Sequence, residues 1–221
     1  MAERLTSSGD GIAAAAALLL DGALVAFPTD TVYGIGCRVG DAMALDRLFE
    51  AKRRLTEKGI PILVVDLDQA VSLGYTADGR ARELAERFWP GALTVVLADG
   101  SAASTRPQAA TQAFRVPNHP VALELIARSG PLATTSANRS SEPETYEADD
   151  VLIAFADTDL LAAVLDGGTV PGGVASTVVD LSVTPARLVR EGPVSRERLA
   201  EVIDLEPPDG PDPDSPAGAG R

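Results

Sequence analysis

The chain has 221 residues, 45% of them apolar, with one cysteine, one histidine and a formal charge of −13. That length suits one domain with at most an appendage, and the apolar share is enough for a real core. The lone Cys37 excludes an internal disulfide and a cysteine-rich zinc site, the lone His119 argues against a histidine metal cluster or a Ser-His-Asp triad, and the acidity argues against non-specific nucleic-acid binding, which needs clustered Lys and Arg.

In chain order, "IAAAAALLL" (12–20) lies between Asp10 and Asp21 and follows a segment in which Glu3 offsets Arg4. It is too short to cross a membrane and lacks a basic leader, so it reads as an Ala-rich helix (9–21) packed on a sheet, in a cytoplasmic protein with no membrane partner. A strand (23–27) runs into "FPTDTVYGIGC" (27–37), whose mixture of hydroxyls, aspartate, tyrosine and glycines suits neither a strand interior nor an ordinary turn. Helix 41–53 has Asp41 as its cap, a stripe of Leu45, Leu48 and Phe49, and Lys52, Arg53 and Arg54 at its C-terminal end. There follow strand 61–65, helix 78–88, strands 92–97 and 113–117, helix 120–128 opening on Pro120, strand 131–136, helix 158–165, strands 176–181 and 186–190, and helix 195–204 capped by Ser195.

Most of these strands are continuous apolar runs, as expected where both faces are buried. Strands that follow one another closely break a regular βα alternation. The fold class is therefore α/β, a twisted mixed sheet flanked by helices. From Pro207 the chain reads "PPDGPDPDSPAGAGR", which holds no apolar residue larger than Ala. Such a segment cannot bury enough surface to order itself, so residues 1–206 are expected to form the folded domain and 207–221 a disordered acidic tail.

Polar residues gather at strand and helix ends: Thr29, Asp30, Thr31 and Tyr33; Lys52 and Arg54; Arg115; Thr134, Thr135, Ser136 and Asn138; Ser176 and Thr177; Arg190. Loops at strand ends are where α/β proteins place ligands. Several cations with many hydroxyls form a set for holding phosphates and a small polar ligand. Each member also has a plainer reading. "KRR" completes a helix dipole, "TTSAN" ends a strand in a side-chain turn, the glycines of 166–173 serve a loop, and His119 beside two prolines serves a turn. Walker A is absent and "GIGCRVG" does not fit G-x-G-x-x-G.

Taken in order, "FPTDTVYGIG", "AKRR", "FWPGALTVVL" (88–97), "FRVPNHP" (114–120), "TTSANRSSEP" (134–143), "STVVDLS" (176–182) and "LVREGPVS" (188–195) carry a resemblance. Between about residue 10 and about residue 192 the chain resembles the YrdC-like family of threonylcarbamoyl-AMP synthases. The resemblance implies a large concave cavity and the reaction of ATP, L-threonine and bicarbonate to threonylcarbamoyl-AMP and pyrophosphate, with Mg²⁺ as the expected metal and no metal-ligating protein cluster. The product would pass to a transferase complex that modifies tRNA next to the anticodon, with weak or no direct tRNA binding by this acidic chain. By the same resemblance Thr31, Tyr33, Arg115, Thr134 and Ser176 face the threonine. Lys52, Arg54, Ser136, Asn138 and Arg190, with Thr111 as a weaker contact, face the nucleotide, and Lys52 and Arg54 supply the catalytic charge.

Three residues depart from the family pattern: Leu55 where relatives have proline, Val65 where many have histidine, and Ser141 where glycine is usual. Two competing readings remain: a nucleotide- or RNA-binding paralogue without synthase activity, and a carbamoyl-transfer enzyme of the kind in which such a domain is fused to acylphosphatase-like and zinc-containing segments. This chain has neither the length nor the cysteines for the second.

Overall fold

The computed structural model describes residues 2–53, 59–100 and 111–207. Its first elements are β1 (Glu3–Thr6), α1 (Gly9–Leu20), β2 (Leu24–Pro28), β3 (Tyr33–Arg38), α2 (Ala42–Lys52) and β4 (Ile62–Leu63). Next come α3 (Leu67–Ser72), α4 (Gly79–Phe88), β5 (Leu93–Ala98), β6 (Thr111–Arg115), α5 (Pro120–Ser129) and β7 (Leu132–Ser136). The last are α6 (Ala148–Ala154), β8 (Leu161–Asp166), β9 (Thr177–Asp180), β10 (Arg187–Arg190) and α7 (Arg196–Ala200).

The strands join one twisted mixed sheet in the order β1-β8-β2-β3-β7-β4-β6-β5-β9-β10. At one end β8 runs parallel between β1 and β2. In the middle β3 is antiparallel to both β2 and β7, and short β4 bridges β7 (antiparallel) to β6 (parallel). At the other end β5 is antiparallel to β6 and parallel to β9, which pairs antiparallel with β10.

Side-chain caps set the helix starts. Ser8, Asp41, Asp66, Asp78 and Ser195 each accept from a backbone N–H in the first turn of α1, α2, α3, α4 and α7. Three apolar clusters hold the helices to the sheet. Ile12, Leu19, Leu125 and Ile126 of α1 and α5 pack over Val25, Phe27 and Leu165. Leu48 and Ala51 of α2 meet Val151 of α6 over Ile35 and Val164. Leu84 and Phe88 of α4, with Leu199 of α7, cover Val95, Phe114 and Val179.

Every expected strand forms, and five of the six expected helices do. The exception is 158–165, which is a strand, β8. Its run "LAAVLD" is apolar on both faces, and Leu161, Ala163, Val164 and Leu165 are all buried between parallel neighbours. A short apolar run buried on both faces has no periodicity to separate strand from helix, and its alanines tilt the reading toward helix. Strands β1 and β3 and helices α3 and α6 were not anticipated. In β3, "YGIGCR", two glycines hide the strand. A Cβ on Gly34 would stand 2.9 Å from Thr134 Cγ2, and one on Gly36 2.8 Å from Thr134 Oγ1 and 3.0 Å from the Ala133 carbonyl oxygen. The glycines let β3 lie against β7 with Thr134 between them. Among the described residues no helix is long and apolar enough to cross a membrane. The expected tail lies outside the described residues apart from Pro207.

Candidate active site

A cavity of about 360 Å³ is lined by residues from seven neighbouring strands: Gly34 of β3, Thr134 to Ser136 of β7, Leu63 of β4, Ala113 and Arg115 of β6, Thr94 of β5, Val178 of β9 and Arg190 of β10. Period-two alternation builds this wall. Ala113, Arg115 and Pro117 reach the cavity, while the intervening Phe114 and Val116 are buried in the core. Likewise Ser176 and Val178 face the cavity, and Thr177 and Val179 are fully buried. The polar lining consists of Arg115, Arg190, Glu144 and seven hydroxyl side chains, Thr29, Thr31, Thr94, Thr134, Thr135, Ser136 and Ser176.

The turn between β2 and β3 is held by its own threonines. Thr29 Oγ1 donates to the Val32 carbonyl at 2.6 Å, accepts from the Thr31 N–H at 3.2 Å and lies 3.2 Å from Thr31 Oγ1. Local side-chain bonds of this kind replace the ladder where a chain reverses, and here they leave Thr31 on the cavity wall. Asp30, between the two, turns toward β6: Arg115 Nη2 donates to Asp30 Oδ1 at 2.7 Å and Arg115 Nε to the Gly91 carbonyl at 3.0 Å.

Across the cavity, Thr94 and Ser176 share a hydrogen bond at 2.8 Å, and Arg190 fixes its guanidinium on the Ser176 carbonyl through Nε (3.0 Å) and Nη2 (2.7 Å). At the end of β7, Ser136 Oγ donates to Asn138 Oδ1 at 2.7 Å, and Asn138 Nδ2 donates to the Glu142 carbonyl at 2.6 Å. Lys52, 3% exposed, donates to the Ser136 carbonyl (2.5 Å), to Asn138 Oδ1 (3.0 Å) and to the Asn138 carbonyl. A buried ammonium survives only when such oxygens replace its water. Arg139 completes the junction, donating to the carbonyls of Ala51 and Ala154 and pairing with Asp157. Asp157 is also bonded to Arg53, and the two guanidiniums hold its carboxyl below the usual carboxylate range despite the opposing effect of desolvation.

Of the residues singled out in the sequence, the structure brings Thr29, Thr31, Arg115, Thr134, Thr135, Ser136, Ser176 and Arg190 to one cavity. Lys52 and Asn138 stand behind Ser136 and are not on the lining. Thr111 is exposed at the start of β6, away from the lining, and Arg54 and Leu55 lie outside the described residues. Tyr33, expected on the threonine pocket, is fully buried elsewhere. Its side chain follows the β3 face opposite Gly34, and its hydroxyl donates to the Gly168 carbonyl and accepts from the Gly167 N–H. Burial raises its pKa, so the phenol keeps its proton. Thr94 and Glu144 were missed. Thr94 could have been found as the one polar side chain in "ALTVVL"; nothing in the sequence marks Glu144. Val65 donates its N–H to Gln69 Oε1 and packs beside the α1–α5 cluster.

A cavity lined by two arginines, a glutamate and seven hydroxyls on a mixed α/β sheet and its loops suits a small, oxygen-rich ligand. Residues 17–192 match the model of the Sua5/YciO/YrdC family, which carries the description "Telomere recombination", and the chain belongs to that family. It is 40% identical over 199 residues to a putative threonylcarbamoyl-AMP synthase of Mycobacterium leprae, covering 89% of this chain and 90% of that one. It is 38% identical to the threonylcarbamoyl-AMP synthase of Bacillus subtilis, covering 91% of this chain but 59% of that longer protein. Among solved structures, Pyrococcus abyssi Sua5 complexed with L-threonine superposes with a TM-score of 0.80 at 34% identity, over 94% of this chain and 63% of that one.

Proposed function

We propose that this chain is a threonylcarbamoyl-AMP synthase, joining L-threonine, bicarbonate and ATP with release of pyrophosphate, its product then consumed by a transferase complex acting on tRNA. The observation that carries this reading is Arg115, an arginine recessed in a hydroxyl-lined cavity and fixed along one edge of its guanidinium. A planar cation held in this way suits a carboxylate. The relatives named as synthases, and the Pyrococcus structure complexed with L-threonine, support taking that carboxylate to be threonine's.

The chemistry asks for positioning more than for a nucleophile on the protein. The threonine amine adds to the bicarbonate carbon and water leaves to give a carbamate; a carbamate oxygen then attacks the α-phosphorus, the bond to the bridging oxygen breaks, and charge builds on the departing pyrophosphate. Arg115 with Thr31 and Thr134 would hold the amino acid, and Ser136 and Arg190 would face the nucleotide. Lys52 fixes the Ser136–Asn138 turn and Arg54 follows it in sequence; both would bring positive charge toward the phosphates. Magnesium would enter on the nucleotide phosphates, as it commonly does. We assign the reaction to residues 1–206, in the cytoplasm.

The test is pyrophosphate release by the purified protein with each substrate omitted in turn. Release that needs both L-threonine and bicarbonate and collapses in Lys52→Ala and Arg54→Ala supports the synthase. ATP binding without threonine-dependent release supports the non-catalytic paralogue.

A further inference from the structure

The two protein acceptors on Arg115 both take the same edge of the guanidinium. Nε and Nη2 share one side of that plane, and they donate to the Gly91 carbonyl and to Asp30 Oδ1. Both acceptors are themselves fixed. The Gly91 N–H donates to the Val116 carbonyl at 2.9 Å, and a Cβ on Gly91 would fall 2.6 Å from the Phe88 carbonyl oxygen. Asp30 sits in the turn that the Thr29 hydroxyl closes. No described residue accepts from Nη1. The Nη1–Nη2 edge is thus the one left for an oxyanion.

We propose that Asp30 is a positioning residue for the amino-acid substrate. Its carboxylate turns Arg115 so that the Nη1–Nη2 edge faces the cavity and receives the substrate carboxylate. An arginine side chain has several rotatable bonds, and its fork binds bidentately only when the plane is set. Gly91 fixes one atom of the plane and leaves it free to pivot about that contact; Asp30 supplies the second point that stops the pivot. The pair is recessed, with side chains 11% and 15% exposed for Arg115 and Asp30, so solvent screens it little. His119, at the start of α5, feels the Asp30 charge, which raises its pKa against the larger lowering by burial. The net shift is downward, so His119 is neutral near pH 7 and brings no second cation beside Arg115.

This proposal rests on the synthase reading, and its test separates the two. Asp30→Asn and Asp30→Ala are compared with the unaltered protein in steady-state pyrophosphate release, with L-threonine binding followed by calorimetry and folding by thermal melting. KM for L-threonine is expected to rise about tenfold in Asp30→Asn and further in Asp30→Ala, the scale of a lost charge-assisted hydrogen bond. KM for ATP should stay within about twofold. In an Arg115→Lys background, Asp30→Asn should add less than about twofold, because an ammonium has no plane to set. Equal rises in KM for both substrates, an unchanged KM for threonine, or the same factor in the Lys background would each overturn the proposal. If the unaltered protein binds L-threonine but releases no pyrophosphate, the synthase reading fails while the same comparison, made on Kd, still decides the role of Asp30. If it binds no L-threonine, both fall.

Discussion

The hydroxyl of Tyr33 donates to the carbonyl of Gly168 at 2.8 Å and accepts from the N–H of Gly167 at 3.1 Å, so a β3 side chain pins the start of the segment that returns to the cavity at Gly173, Ala175 and Ser176. Further along, the Val170 N–H donates to the Tyr146 carbonyl at 2.9 Å and Gly172 lies beneath the Tyr146 ring. Tyr33→Phe removes only the hydroxyl and leaves both backbone groups without it. The expected cost is about 1–2 kcal/mol, read as a lower melting temperature, with faster amide exchange at Gly167. An unchanged exchange rate there would show that the segment is held by other contacts.

Gly36 should not tolerate a methyl group. Its Cβ would meet Thr134 Oγ1 and the Ala133 carbonyl oxygen, and the second of these is backbone of the paired strand. Gly36→Ala should destabilise the fold by about 1–3 kcal/mol and, by pushing Thr134 into the cavity, raise KM for L-threonine. Chemical denaturation and steady-state kinetics measure the two effects separately.

Ser141 has φ at 69°, in the left-handed region that a Cβ disfavours. Relief of that strain in Ser141→Gly should stabilise the protein by about 1 kcal/mol, seen as a higher denaturation midpoint. The sequence departure at this position is thus borne as strain in the turn after Asn138.

His119 gives a pH dependence. Burial lowers its pKa below the ordinary 6.5, partly offset by Asp30. Below pH 6.5 the unfolded chain takes up a proton that the folded protein refuses. The His119 contribution to stability therefore falls as pH drops from 6.5 and levels off below the depressed folded value. His119→Gln should flatten the stability profile in that window, measured by urea unfolding at a series of pH values. A profile parallel to that of the unaltered protein would contradict this.

Much of the architecture could be read from local pattern. Strands β2 and β5 are largely apolar runs of strand length, and α2 and α7 carry their caps in the sequence. Arg115 stood out as the single charge in "AFRVP". What could not be read was lateral order. In the sheet β7 lies between β3 and β4, β4 pairs with β6, and β5 pairs with β9, although none of these pairs is successive in the chain, and only that order brings Thr31, Thr94 and Arg190 to one cavity. The partnership of Asp30 with Arg115 spans 85 residues and leaves no local trace. Tyr33 was misplaced for a related reason. With β3 unrecognised, nothing showed that Tyr33 and Gly34 must face opposite sides of the sheet.

The most direct test of the central claim uses the protein with ATP, magnesium, L-threonine and carbon-13 bicarbonate, quenched rapidly and read by mass spectrometry. The account predicts an adenylate that contains threonine and the heavy carbon, formed together with pyrophosphate. Pyrophosphate release without that adenylate, or an adenylate lacking the heavy carbon, would contradict it.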